Sequence, residues 1–412
     1  YSYPHKTAYR PFPAPVSLLP YLEQLQGRKA SLYFHIPFCS HKCGYCNLFS
    51  LQTNRTEYIA TYLDTLHRQA QQLSPLTAGL TFDSFAIGGG TPLLLTVPQL
   101  EQLMATAALF GVHPSHAFTS VETSPEYADR PRLNVLKKAG VSRVSIGIQS
   151  FQDEELKAIK RRPRQNTIYQ ALDDIRQMDF PYFNIDLIYG IKGQTVESFL
   201  YSLEEALRFQ PNELFIYPLY VRQGTGITER EPDDVCFRMY RAACKLLQAK
   251  GFLQTSMRRF IHHPSTDAEV SCGDEVMLSC GSGGRSYLGD LHYATRYTVC
   301  QQCIAREIDE YMATTDFTVA RNGFILSAKE QQQRFIIKNL MYYMGIDKAE
   351  YTRRFGEPLD RTPLFRQLAE QYWIEETPER IRLTPEGLGY SDYIGQLFIT
   401  PEIRQLMETY SY

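Results

Sequence analysis

Three cysteines stand in the stretch Cys39-Ser40-His41-Lys42-Cys43-Gly44-Tyr45-Cys46, at the spacing CxxxCxxC. Thiols set this close on one loop suit a metal, and their number narrows which. A four-iron cluster ordinarily takes four thiolates, so three local ones leave one iron open to an incoming amine and carboxylate. Zinc would want a fourth Cys or His nearby; His41 is the candidate, placed inside the loop where its reach is poor. Unligated thiols are the third reading. The chain has nine cysteines, an odd number gathered in places rather than spread as an even set. That argues against a secreted disulfide framework and for a metal site in a reducing compartment.

Other groups could join this chemistry. In the run Gly88-Gly89-Gly90-Thr91-Pro92 the missing Cβ atoms would let backbone approach a ligand. Gln149 and Asp186 are polar residues at the ends of apolar segments, and Arg161 lies in a charge run that would ordinarily be a solvated face. Cys272, Cys280, Cys300 and Cys303 share one region, the last two as Cys300-Gln301-Gln302-Cys303. A CxxC can serve zinc, an auxiliary cluster or a thiol relay, but the irregular outer spacing favours four buried or free thiols. Between them, Arg285 and Tyr287 follow a glycine-rich stretch and either face substrate or belong to a turn; His262-His263 reads as surface.

The elements that position these groups alternate. Strands are predicted over 31–36, 82–87, 118–122, 143–148, 182–188 and 213–219, with helices over 56–72, 97–109, 131–139, 153–159, 167–178 and 196–209 between them. Six βα-type units specify a parallel sheet with right-handed crossovers, open or curled into a partial barrel, with sites at the carboxyl ends of the strands. The clusters just named follow predicted strands. Residues 1–30, rich in Pro and Tyr, read as an extended arm. The fold expected is α/β: a partial (β/α)6 parallel barrel over 31–232 and an α-rich C-terminal region over 233–412. In that region a Gly- and Cys-bearing extension (233–310) breaks the rhythm. A helical cap (311–412) follows, with a winged-helix-like segment around Leu383-Thr384-Pro385-Glu386-Gly387.

With 43 Lys plus Arg against 45 Asp plus Glu, the net charge is −2, which lacks the electrostatic footprint of a nucleic-acid binder. No apolar run reaches the roughly 18 residues of a membrane span. No nucleic-acid or membrane partner is therefore expected.

With Tyr45 just before the last cysteine, CxxxCxxC resembles the motif of the radical S-adenosylmethionine (SAM) superfamily. The preceding Tyr33-Phe34-His35-Ile36-Pro37-Phe38 resembles its HemN-like subfamily, that of the oxygen-independent coproporphyrinogen III oxidases. The likeness continues through Gly88-Gly89-Gly90-Thr91-Pro92, Glu122-Thr123-Ser124-Pro125-Glu126, Gly147-Ile148-Gln149-Ser150-Phe151 and Asn184-Ile185-Asp186, over residues 31–225, and is loose beyond.

The resemblance implies that Cys39, Cys43 and Cys46 hold a 4Fe–4S cluster whose open iron SAM chelates. Gly89, Gly90 and Thr91 would receive the methionyl amino group. Tyr33, Tyr45, Glu122, Gln149, Arg161 and Asp186 would line the cofactor, with the carboxylates suited to ribose hydroxyls and Arg161 to the SAM carboxylate. Tyr33 and Arg161 are the residues expected at the reacting centre. It further implies an electron donor such as flavodoxin or ferredoxin, a cytoplasmic location, and reductive cleavage of SAM to methionine and a 5′-deoxyadenosyl radical that takes hydrogen from a small-molecule substrate.

Two departures bear on the reaction. Leu48 stands where porphyrinogen oxidases typically have another cysteine, and the HNxxYW stretch of the haem-chaperone branch is missing, the single tryptophan being Trp373. By elimination they favour the branch that uses a second SAM to place a methyl or methylene carbon on an sp² carbon of an aromatic or heterocyclic substrate. Porphyrin- or haem-related redox chemistry comes next, and a non-catalytic cluster or haem carrier after it.

Overall fold

In the computed structural model, residues 2–412 are described except 113–116, 163, 223, 263–275 and 360–362; Cys272 and His263 lie outside the described residues. Thirteen strands form one sheet. In chain order they are β1 (Arg10–Ser17), β2 (Lys29–Ile36), β3 (Thr81–Gly89), β4 (Phe118–Thr123), β5 (Arg143–Gln149), β6 (Tyr182–Tyr189), β7 (Glu213–Pro218), β8 (Phe252–Gln254), β9 (Arg259–His262), β10 (Val276–Cys280), β11 (Arg285–Leu288), β12 (Leu291–Ala294) and β13 (Val319–Ile325). Strands β2 to β7 run parallel in sequence order, with helices between them at Thr56–Leu73, Val97–Ala108, Arg130–Lys138, Gln165–Gln177 and Val196–Leu207.

The parallel strands show why this is a barrel wall rather than a sheet sandwiched by helices. Register carries Phe34 beside Ile87, Ile87 beside Val121, Val121 beside Val144 and Ile185 beside Leu214, and all of these side chains are buried in the core. The alternate positions carry Tyr33, Glu122, Gly147, Asp186, Phe215 and Tyr217, which keep access to solvent. A parallel sheet covered on both faces reads as unbroken apolar runs; here one face meets helices and the other lines an interior.

The sheet extends beyond the six expected units. β10 pairs parallel with β2, and β11, β12, β13 and β1 follow antiparallel. At the other side β9 and β8 follow β7 antiparallel. The Gly- and Cys-bearing extension therefore continues the wall instead of breaking its pattern, and the helical cap contributes β13. Residues 1–30, expected as an extended arm, hold a short 3-10 turn (Lys6–Ala8), strand β1 and a helix (Leu19–Gln24). The register of β1 shifts between Pro11 and Val16, since prolines cannot donate to a ladder and are tolerated on an edge.

A second core gathers Phe335, Ile337, Leu340, Leu383 and Ile394 around a three-stranded sheet (Ile346–Asp347, Ile374–Glu376, Arg380–Leu383). Helices Ala328–Leu340, Lys348–Phe355 and Pro363–Glu370 accompany it, the winged-helix-like segment. Among the described residues, no helix is long and apolar enough to cross a membrane.

Phe34 is fully buried and meets the rings of Phe85 and Phe110 at 5.0 and 6.3 Å. Phe34→Ala should cost about 3–5 kcal/mol through lost burial and an unfilled cavity, measured as a lower urea midpoint at unchanged slope.

Candidate active site

The cysteine loop leaves the carboxyl end of β2 and is fastened on both flanks. Gly90 N–H donates to the Ile36 carbonyl at 2.8 Å and Thr91 N–H to that of Phe38 at 2.8 Å. Further along, Gly44 donates to the Ile159 carbonyl at 2.9 Å and accepts from Gly226 N–H at 2.6 Å. Each sulfur has its own neighbour. Thr91 Oγ1 donates to Cys39 Sγ at 3.6 Å, Arg161 to Cys43 Sγ at 3.4 Å, and Ser50 Oγ lies 3.6 Å from Cys46 Sγ. Burial pushes the Cys39 thiol up to about 11, against the Thr91 hydrogen bond and with help from the other two cysteines. A metal must therefore displace its proton on binding.

This arrangement fits a cuboidal cluster. Among the described residues, no three His, Cys, Asp or Glu side chains gather round a single ion, whereas a cluster offers each thiolate a separate iron. His41, the possible zinc ligand, is bonded through Nε2 to the Lys160 carbonyl at 2.8 Å.

Around the loop, the strand ends supply the other expected residues. Glu122 Oε2 accepts from Gly89 N–H at 3.3 Å, and burial raises its carboxyl above the usual range. Glu122 is nevertheless reached by solvent, so it faces an internal space. Asp186 is raised to about 7 by burial, with Glu122 and Glu213 adding and the hydrogen bond from Asn184, at 2.8 Å, opposing. Arg161 donates to the Tyr45 hydroxyl at 3.2 Å and to the Gly147 carbonyl. Its Nε and the Asn184 Oδ1 are buried without partners, polar atoms suited to a bound cofactor.

Gln149 sits at φ 76° where β5 slips register between Gly147 and Gln149. A Cβ on Gly147 would come within 2.5 Å of the Gln149 amide nitrogen; the glycine exists to admit that side chain. Left-handed backbone at a non-glycine residue is the kind of strain that collects at functional sites.

Besides any room it leaves for a ligand, the glycine run makes room for the protein's own side chains. A Cβ on Gly89, itself at φ 114°, would fall 2.6 Å from the His35 ring. His35 is the residue that sequence reasoning quoted but did not assign. Burial lowers its pKa to about 4, so it is neutral at pH 7. Its Nε2 lies 2.9 Å from the Phe49 carbonyl, which can only accept. The proton is thus on Nε2, and Nδ1 accepts from the Tyr33 hydroxyl at 3.1 Å. Tyr33 is oriented by an acceptor tied to the cluster loop.

Residues from distant segments complete the mouth. Lys6 Nζ lies 3.6 Å over the Tyr297 ring. Burial first, then Arg285 and Arg222, bring its pKa down to about 7, while Cys46 acts the other way. Burial with Lys6, Arg285 and Arg222 holds His5 at about 3. Arg285 was a candidate from sequence; Lys6 and Arg222 were not, because nothing local marks them.

A metal-ready trio at the carboxyl ends of a parallel barrel defines a radical SAM protein, and the comparisons agree. The Radical SAM superfamily model matches residues 33–206 and the HemN C-terminal domain model residues 326–389. The oxygen-independent coproporphyrinogen III oxidase of Salmonella typhimurium is 30% identical over 394 residues, covering 87% of this chain and 83% of that protein. The heme chaperone HemW of Bacillus subtilis is 27% identical over 386 residues, covering 89% and 100%. The coproporphyrinogen III oxidase structure from Escherichia coli superposes with a TM-score of 0.81 at 23% identity over 93% of each chain. The chain belongs to the HemN-like family of radical SAM enzymes, whose cofactors are a 4Fe–4S cluster and SAM.

Cys43→Ala should abolish the cluster, read as loss of bound iron and of the broad visible absorbance of a thiolate-bound centre. Retention of about four irons per chain would refute the ligand set. Asp186 also sets a pH dependence. Its folded-state pKa stands above the ordinary 3.8, so the folded chain holds a proton that the unfolded chain releases. Stability therefore declines as pH rises from about 4 through about 7. In Asp186→Asn that decline should flatten, checked by urea denaturation of metal-free protein across this range.

Proposed function

We propose that this enzyme acts on a flat, carboxylate-rich heterocycle of the tetrapyrrole class. The observation that carries the reading is the cationic mouth. Arg285 and Arg222 lie close enough to lower the Lys6 pKa, and the one group acting on Lys6 in the opposite sense is the cluster residue Cys46. Repulsion on a partly covered ammonium is unfavourable until anions enter, and carboxylates on the substrate supply them. A half-buried tyrosine accompanies the cations: the Lys6 ammonium stands over the Tyr297 ring. Such surfaces suit the face of a conjugated ring. The names of the relatives, coproporphyrinogen oxidase and heme chaperone, support the same substrate class.

The interior therefore divides by charge. Glu122 and Asp186 on the strand ends suit ribose hydroxyls, and the cationic rim suits the substrate. Held by Cys39, Cys43 and Cys46, the cluster would supply the electron for reductive cleavage of SAM. Arg161 spans Cys43, Tyr45 and Gly147 and would anchor the SAM carboxylate. Tyr33, held by His35, would stand at the reacting centre. The methionyl amine would meet Gly89, Gly90 and Thr91. Flavodoxin or ferredoxin would deliver the electron.

For the reaction type, we favour transfer of a methyl or methylene carbon from a second SAM to an sp² ring carbon. Leu48 in place of the porphyrinogen oxidases' extra cysteine and the missing HNxxYW stretch support this over propionate decarboxylation and haem delivery.

Assays with reduced, reconstituted enzyme and coproporphyrinogen or haem discriminate these outcomes. 5′-Deoxyadenosine together with S-adenosylhomocysteine is expected. 5′-Deoxyadenosine with carbon dioxide and no S-adenosylhomocysteine would mean decarboxylation, and neither product would mean a carrier. Lys6→Ala and Arg285→Ala should each raise KM about tenfold or more, as expected for loss of a charged hydrogen bond, at unchanged iron content. An unchanged KM would remove the carboxylate assignment.

A further inference from the structure

Cys300 and Cys303 stand apart from the three cluster cysteines and have no part in the reading above. Cys300 occupies the residue before the helix Gln301–Ala313 and has extended backbone, φ −69° and ψ 123°. Cys303 is three positions on. A side chain at the helix cap and one three residues later face each other across the first turn, which sets the two thiols on the same side of the helix start. The Cys303 side chain and the first backbone N–H groups of the helix, with Arg306 adding, hold the Cys300 thiol below the usual range, and Cys303 is pushed up by Cys300. Cys300 is exposed, Cys303 is half-buried, and neither is in a disulfide.

The pair does not continue into a metal site. Among the described residues no third ligand joins it, and Cys280 is fully buried in β10. It does adjoin the cluster loop. Gln301 donates to the Ser50 carbonyl at 2.9 Å and accepts from Gln52 N–H at 2.8 Å, and the Val299 carbonyl accepts from Lys42 at 3.1 Å.

We propose that Cys300 and Cys303 form a thiol–disulfide exchange site, open to low-molecular-mass disulfides, on the face that carries the cluster loop. Cys300 is the attacking sulfur because it is the exposed one and stands at the positive end of the helix, which favours its thiolate. It attacks one sulfur of a disulfide RSSR: the Cys300–SR bond forms, the S–S bond breaks and one RS⁻ leaves. Cys303 then yields its proton to water and attacks Cys300, expelling the second RS⁻. The protein dithiol loses two electrons and two protons, and RSSR becomes two thiols.

The test uses the full chain with its cluster in place, incubated anaerobically with oxidised glutathione, then acid-quenched, alkylated and peptide-mapped. An intramolecular Cys300–Cys303 disulfide, reversed by dithiothreitol, is expected. Cys303→Ser should trap a glutathione adduct on Cys300, and Cys300→Ser should form an adduct on Cys303 roughly tenfold more slowly. A Cys303→Ser protein that keeps its iron yet leaves Cys300 unmodified would overturn the proposal. So would a wild-type Cys300 adduct that never resolves onto Cys303.

Discussion

The site depends on how the cysteine loop is tied down. A loop of small and polar residues has no core of its own to fix three sulfurs. Its geometry comes from backbone hydrogen bonds at its two flanks, Gly90 and Thr91 on one side and Ile159 and Gly226 on the other. These partners come from the segments after β3, β5 and β7, so three strand ends of the wall together fix where the sulfurs stand. Individual bonds of this kind contribute only about 0.5–1.5 kcal/mol each; their value is positional.

Much of this was legible in the sequence. Each of the six parallel strands and its following helix was visible because outward positions such as Phe34, Ile87 and Ile146 repeat with period two while the helices repeat with period 3.6. The cysteines, Glu122, Gln149, Arg161 and Asp186 stand in motifs that follow the strands, and contacts join some of them: Arg161 donates to Cys43, and Glu122 acts on the Asp186 carboxyl. What escaped was non-local. The strand Arg10–Ser17 hides behind prolines, and its pairing with Val319–Ile325 spans about three hundred residues of chain. Lys6 and Arg222 reach the proposed substrate mouth only through tertiary convergence with Arg285. No local pattern encodes such a meeting.

His35 shows a different gap. Its place in the motif was plain, yet its work as the hinge between Tyr33 and the Phe49 carbonyl needs coordinates. The same holds for Gly89, whose lack of a side chain is required by a protein ring as well as suited to a ligand. A motif glycine can be fixed by its neighbours inside the protein.

The two ends of the long sheet carry a consequence for solution behaviour. One terminates in β1, interrupted by Pro11, Pro13 and Pro15, and the other in β8, only three residues long. Broad sheets whose borders present unpaired amide groups invite growth by strand addition. Here one border lacks donors and the other is too short to template a neighbour, so this wide sheet is guarded against fibrillar self-association.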